Sequence, residues 1–463
     1  MTRHILTSGS LVLVTASLLA GAGLGVPAQD AAAADLPKAT QAIMKKTRLP
    51  AEVLAGLDAE LKMPQKWIDG AKKEGQLIVG GTWDADQFDR MVAPFIERYP
   101  FVKFSYSRAT RHDRVIKPLL AFKSGRVVTD VLSGVGAKFS SFKELGAILD
   151  LRQIPNWKNV PDGMKDKEGG WIGQRLRYWC MSYNTKAIKK SDLPKTWDDL
   201  LTNPKLRNGK IGMGNRPNLW LLSMWDIKGE NAIREYARKL FTDVKPQLRK
   251  EGMNALISLA TAGEFDVALP SAAYRVSQMI PKGAPIAWHC PEPVPMAISE
   301  MLAMKGGHEN AALLFINWFM SKEGQVSQFA ANNAPPVHKD LHRREFLAFP
   351  DEILGKRIAF REPEAMENDL KKLMRFWDPM WFSARGLKLE VVTSTLDKVG
   401  KKGRDVTFTV DGKVQKAKVS GSRTGIEVDG TDAMRAELKP GMTCEIAYPG
   451  NNEEAVKIDC KSK

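Results

Sequence analysis

The sequence is short of the residues on which most catalysis depends. It has six histidines and four cysteines among 463 residues. It has no G-x-x-x-x-G-K loop to cradle a phosphate, no H-E-x-x-H to hold a catalytic zinc and no G-x-S-x-G elbow to expose a serine. C-x-x-C spacing, a common sign of zinc, is missing too. These absences argue against an enzyme and imply no cofactor and no metal. His308 and His342 lie in helical or polar contexts and read as surface residues, and His289, beside Cys290, reads as structural. Past the N-terminus there is no uncharged apolar run long enough to span a bilayer.

What is present begins with an export signal. Arg3 and His4 give a basic start, residues 11–26 are apolar, and Ala32-Ala33-Ala34 precedes Asp35 in a cleavage pattern. Residues 1–34 therefore read as a signal peptide rather than a membrane anchor, and the expected location is the periplasm. No cysteine follows the apolar stretch, which argues against a lipid anchor. The net charge of +16 is spread along the chain and interleaved with acids, with no basic run carrying aromatics. That pattern excludes nucleic acid as the expected partner and leaves a surface that attracts anions. An even number of cysteines in an oxidising compartment suggests disulfides, with Cys180–Cys290 and Cys444–Cys460 as the reasonable pairs. Two buried thiols are the alternative for the first pair.

Residues 35–75 carry a polar helical pattern that stops at Gly75. Residues 76–79 then read as a buried strand closing on Gly80-Gly81-Thr82-Trp83. Phe88, Val92, Phe95, Ile96 and Tyr99 share one helix face, and residues 101–106 alternate as a second strand. Strand and helix continue to alternate through residue 146, the mark of an α/β unit with a mostly parallel sheet. A long strand pattern spans 175–183, and a second α/β unit follows, with strands near 209–213 and 265–269 and a helix expected from Asn218 to Trp225. From about Lys388 the grammar changes to short alternating strands, with Asp411-Gly412 as a hairpin turn. Residues 388–463 thus read as a small all-β domain whose size suits a barrel.

The stretch from Pro194 through Trp197, Asp198, Pro204, Gly209 and Met213 resembles a segment common in ABC-transporter solute-binding proteins of the ferric-iron-binding type. So do Tyr183-Asn-Thr-Lys186, Ala262-Gly263-Glu264, and the run from His308 through Phe315 and Trp318 to Glu323-Gly324-Gln325. The likeness covers residues 65–345. It implies a type II periplasmic binding fold: two α/β lobes joined by two crossover hinge strands, with ligand in the cleft between them. On that reading lobe 1 is residues 76–180 and 291–387, lobe 2 is 181–290, and the crossings lie near 176–184 and 285–296. Cys180 and Cys290 then fall on the two hinge strands. The family further implies a membrane permease as partner, and the chain itself reads as a monomer.

Iron-binding members hold ferric iron with adjacent tyrosines at a helix start in the second lobe. Here the matching stretch is Ser271-Ala-Ala-Tyr274-Arg275, with Ala273 where the other tyrosine belongs. That departure turns the expectation towards a small organic or phosphorylated anion, with ferric iron as the alternative. Ligands of such sheets lie beyond the strand ends. The candidate ligand-binding residues are therefore Thr82 and Trp83 after the first strand, Arg108 and Arg111 after the second, and Ser133 after the third. Asn215, Arg216, Ser271 and Tyr274 are the candidates in the second unit. Arginine suits carboxylate or phosphate through paired hydrogen bonds, and Trp83 offers a stacking wall. Two readings from other classes stand beside this one. One is a thiaminase-like enzyme with a cleft cysteine, Cys180 or Cys290. The other is a protein that presents its ligand to a sensor, with the C-terminal domain as contact.

Overall fold

The computed structural model describes residues 36–109, 112–136, 138–421 and 423–462. The expected signal peptide, and Thr110 and Arg111 among the candidate loops, lie outside the described residues. Among the described residues no helix is long and apolar enough to cross a membrane.

Two N-terminal helices, α1 (Lys38–Thr47) and α2 (Gln65–Glu74), lead into strand β1 (Gln76–Gly81), whose Leu77 and Val79 are fully buried. The strand ends on glycine for a steric reason: a Cβ on Gly81 would stand 2.8 Å from the Trp83 ring. Helix α3 (Ala85–Arg98) buries Phe88, Met91, Val92 and Phe95 in an i, i+3, i+4, i+7 stripe, whereas Ile96, expected on the same face, is 42% exposed. The remaining strands of the body are β2 (Lys103–Arg108), β3 (Val131–Ser133), β4 (Ile172–Asn184), β5 (Ile211–Gly214), β6 (Gln247–Arg249), β7 (Val267–Ala272), β8 (Ile286–His289), β9 (Val294–Ala303) and β10 (Ile358–Arg361). Helices α4 (Ala273–Met279), α5 (Glu309–Phe319), α6 (Lys322–Asn332) and α7 (Leu370–Ser383) pack around them.

The strand order is β2-β1-β3-β9-β4-β7-β5-β6, with β10 added to β9 and β8 to β4. Two parallel sets, β2-β1-β3 and β7-β5-β6, flank an antiparallel centre. Strand β4 is the joint. Residues up to Tyr178 pair with β9, and from Trp179 onward the partners are β7 and β8. The chain returns between the lobes from β8 to β9. These are the two crossings expected near 176–184 and 285–296, and the Cys180–Cys290 disulfide ties them together. Glu352 reinforces the joint: its carboxylate lies 3.0 Å from His289 Nδ1 and 2.6 Å from Lys190 Nζ, and accepts the Cys290 N–H at 3.2 Å.

Two details differ from expectation. The helix expected over 218–225 breaks into single turns at Pro217–Leu219 and Leu222–Met224, and regular helix resumes only at Trp225 and again after Gly229. Gly229, at φ 81°, closes the turn that begins at Trp225 and separates it from the helix that follows. The sequence places residues 291–387 in lobe 1, yet α7 lays its aromatic face on lobe 2. Trp377 stacks edge-on to Phe241 at 5.0 Å, and Phe376 is stacked with Trp225.

The C-terminal sheet comprises β11 (Glu390–Val399), β12 (Asp405–Val410), β13 (Lys413–Lys418), β14 (Gly425–Val428), β15 (Thr431–Asp432), β16 (Thr443–Tyr448) and β17 (Lys457–Lys461). Its order is β13-β12-β11-β16-β17-β14-β15. The long β11 shifts register between Leu396 and Lys398, so its two halves serve β16 and β12. A parallel bridge between Lys418 and Glu454 then joins β13 to the segment leading into β17, which brings the sheet round on itself as a small barrel. Leu396, Val406, Phe408, Ile446 and Ile458 fill it, and Cys444–Cys460 joins β16 to β17.

Candidate functional site

Loops at the carboxyl ends of β1, β2 and β3 face those of β5, β6 and β7 across the β4 crossing. The structure sorts the sequence candidates there into three groups. Some are already engaged with near neighbours. Arg108 is exposed and pairs with Asp84 at 2.8 Å, so the start of α3 carries its own carboxylate where a bound anion was expected. Ser271 is fully buried, 2.9 Å from Ser182 Oγ and donating to the Ala268 carbonyl at 3.0 Å; it braces β7 against β4. Trp83 is 1% exposed and packs on Phe88, Tyr106 and Phe319, so it is a core residue whose ring carries a guanidinium rather than open space.

Others line the joint. Thr82 accepts from Arg175 Nη2 at 2.8 Å, and Ser133 accepts from Gln174 Nε2 at 2.6 Å. Tyr274, at the start of α4, sets its ring edge-on to Trp179 with centroids 6.3 Å apart. A third set meets the C-terminal part of the chain. Trp377 Nε1 donates to Asn215 Oδ1 at 2.7 Å, Asn215 Nδ2 reaches Asp378 Oδ1 at 3.4 Å, and Arg216 feels the charges of Arg423 and Glu454. Arg111 lies outside the described residues.

Between these groups lies a cluster the sequence reading missed. Arg175 is 5% exposed, with its guanidinium 5.0 Å from the centre of the Trp83 ring, a favourable cation–π placement. Arg177, two residues on and so on the same face of β4, donates to the Ile298 carbonyl at 3.2 Å and lies over Trp179 at 5.5 Å. Arg361, at the end of β10 and 5% exposed, donates to the Asn218 carbonyl at 2.5 Å and so spans from lobe 1 to lobe 2. In all three the buried Nε has no hydrogen-bond partner among the described residues. Burial first, then repulsion from Arg177, holds Arg175 down to about 10, and the same two causes hold Arg361 down to about 10. Glu300, 3% exposed, is the acid that partly offsets Arg361. The arginines on β4 were visible as charges inside a strand that had to be buried. Arg361 stood nearly 200 residues away with no local signal.

A floor of buried, mutually repelling guanidinium groups gains most from an anion. It discourages a bare cation. Among the described residues the one cluster with metal-ligand spacing is Glu60, His338 and Asp340, and it already holds Lys322: Nζ lies 3.2 Å from both Glu60 and Asp340.

Comparison with known proteins agrees with this architecture. Residues 130–352 match the family model of bacterial extracellular solute-binding proteins. A FutA (IdiA) protein of Trichodesmium, solved with iron and citrate, is 17% identical, with a TM-score of 0.55 over 66% of this chain and 99% of its own. Iron-bound HitA from Pseudomonas aeruginosa is 18% identical, with a TM-score of 0.53 over 65% of this chain and 98% of its own. A ferric binding protein from Campylobacter jejuni is 17% identical, with a TM-score of 0.55 over 66% and 99%. No curated protein matches the chain. Residues 130–352 thus match the bacterial extracellular solute-binding family, and the chain has the two-lobed type II periplasmic binding fold.

Proposed function

We propose that this protein captures a small anionic solute, carrying a carboxylate or phosphoryl group, between its lobes and delivers it to the permease of an ABC uptake transporter. The observation that carries the reading is the set of three arginines, Arg175 and Arg361 buried and Arg177 half-buried, whose buried Nε atoms have no partner among the described residues. Burial disfavours the charges of Arg175 and Arg361, and a bound anion would offset that cost through two or more charge-assisted hydrogen bonds. Arg175 and Arg177 would receive the anion from lobe 1, Arg361 and Tyr274 would meet it from either side, and Trp179 would wall the apolar part. Closure by hinge motion would then report occupancy to the permease.

Binding without turnover is the accompanying reading. Cys180 and Cys290 are joined, which leaves a thiaminase-like mechanism without its thiol. The neighbours that hold iron suggest a second reading, in which the solute is an iron–carboxylate chelate rather than free iron. The Trichodesmium complex contains both components, and such a chelate would suit a cationic floor.

The test is a thermal-shift and calorimetric screen against citrate, inorganic phosphate, phosphonates, sugar phosphates and ferric citrate. A ligand that binds only the folded state raises Tm by mass action. At least one anion should raise it, with the shift lost in Arg177→Ala and Arg361→Met. A shift given by neutral sugars or free metal alone would overturn the anionic reading. Loss of a ferric citrate shift in Tyr274→Phe would favour the chelate.

A further inference from the structure

The C-terminal barrel touches the body through the loops that guard the cleft, and it does so on both lobes. On lobe 1, beyond β2, the His112 N–H donates to the Gly421 carbonyl at 3.1 Å, and His112 Nε2 lies 3.3 Å from the Thr424 carbonyl oxygen. Beyond β3, Lys138 pairs with Asp432 at 2.5 Å. On lobe 2, beyond β5, Arg216 lies in the field of Arg423 and Glu454. Beyond β6, Lys250 pairs with Glu453 at 2.7 Å. Met434 and Val456 of the barrel add apolar contact with the core of the body. Four strand-end loops, two from each lobe, thus share one cover.

We infer that the barrel is a latch seated across the mouth of the cleft, holding the two lobes together, and that it must lift from at least one lobe for a solute to pass. A hinged pair of lobes opens by moving these same four loops apart. A rigid body fixed to both sides forbids that motion while both attachments hold. The attachments are of the kind that release. The two ion pairs are partly exposed, with Lys250 59% and Asp432 34% accessible, and such pairs contribute little and are screened by salt. The seam on the lobe 1 side is also imperfectly filled: a cavity of about 160 Å³ lies there, lined by Ile116, Leu119, Leu145 and Asp432. By contrast α7, which leads into the barrel, is anchored on lobe 2 by Trp377 and Trp381 against Phe241. Release is therefore expected first from lobe 1, with the barrel swinging on α7.

The inference does not rest on the identity of the solute, so it can be tested without one. Hydrogen exchange is followed in the full-length mature protein for the backbone amides of residues 82–84, 134–136, 215, 216, 218 and 219. In Lys138→Glu/Lys250→Glu, which leaves the barrel's own sequence untouched, these amides should exchange about tenfold faster, equivalent to about 1.4 kcal/mol. The strands β12, β13 and β16 should keep their protection. Adding Asp432→Lys/Glu453→Lys should restore slow exchange. Raising the salt concentration should speed exchange in the unmodified protein and not in the first variant. Unchanged exchange in the first variant would overturn the latch and make the barrel a fixed wall. Faster exchange that the restoring changes fail to reverse would overturn it equally. If the anion screen fails while this experiment succeeds, the latch stands and only the solute class is wrong.

Discussion

The body and the barrel hold themselves together by different means. All twelve tryptophans belong to the body, and seven of them are among its largest fully buried side chains. The barrel has no tryptophan, a single compact cluster around Phe408, Ile446 and Ile458, and a disulfide closing a hairpin of sequence separation 16. A domain of that size buries too little apolar surface to be secure on packing alone, and a covalent staple is the usual supplement. The body has its own disulfide, but with a separation of 110 that bond spans the hinge rather than a hairpin. One cross-link supports a core, and the other governs how two cores move.

The largest effect should come from striking the body's packing. Trp318 is fully buried, contacts Phe95 and Phe315, and donates from Nε1 to Glu323 at 2.8 Å, where Arg98 also binds at 2.6 and 2.9 Å. Trp318→Ala should cost about 3–5 kcal/mol, measured by denaturant unfolding of the body's tryptophan fluorescence. If the barrel's protection fell with it, the two regions would be one cooperative unit and the comparison would break. Next in size is Cys444→Ser/Cys460→Ser, expected to cost the barrel about 3 kcal/mol by loop entropy. Exchange rates in β16 and β17 should rise while the body's unfolding midpoint stays put.

The smallest effect concerns the seam and is read through pH. Burial pushes the Asp378 carboxyl up to about 6, against a hydrogen bond from Asn215 that pulls it down. A carboxyl raised in the folded state is most favourable when protonated. Its contribution is complete below its ordinary value near 4 and fades as pH rises through about 6. Seating of α7 should therefore weaken from pH 4 to 7 by about 2 kcal/mol. Asp378→Asn should flatten that slope and make the protein more stable than the parent at pH 8. A parent protein with no slope in this window would show that Asp378 reaches water.

Much of the fold was legible because its signals are local. The apolar stripe of α3, the alternation of β12 and β13, and Asp411-Gly412 between them need no distant partner to be read. The hinge was legible through family-like segments on both sides of it. The site was not legible to the same degree, because its charges come from β4 and β10, strands brought into one sheet only by β9, which pairs with both. Residue type misled at two places. Ser271 lies at a strand end as ligands often require, yet its hydroxyl is consumed by Ser182, and the ring of Trp83 is consumed by Arg175. Nothing in a linear reading says that a polar group is already taken. The return of α7 to lobe 2 was hidden for a related reason: a helix's own residues do not name the surface it packs on.

The order of strands has a consequence for how the protein leaves the cell's interior. Lobe 1 needs β1 at residue 76, β9 up to residue 303 and β10 up to residue 361, while lobe 2 is assembled almost wholly from the uninterrupted stretch between. A chain being threaded through a membrane pore must stay unfolded until most of it has passed. Here the outer lobe cannot finish its sheet until more than three quarters of the polypeptide has been delivered, since Ile358–Arg361 is its last strand. The interleaving acts as a timer for one lobe: lobe 1 can complete its sheet only late in delivery, once Ile358–Arg361 has passed.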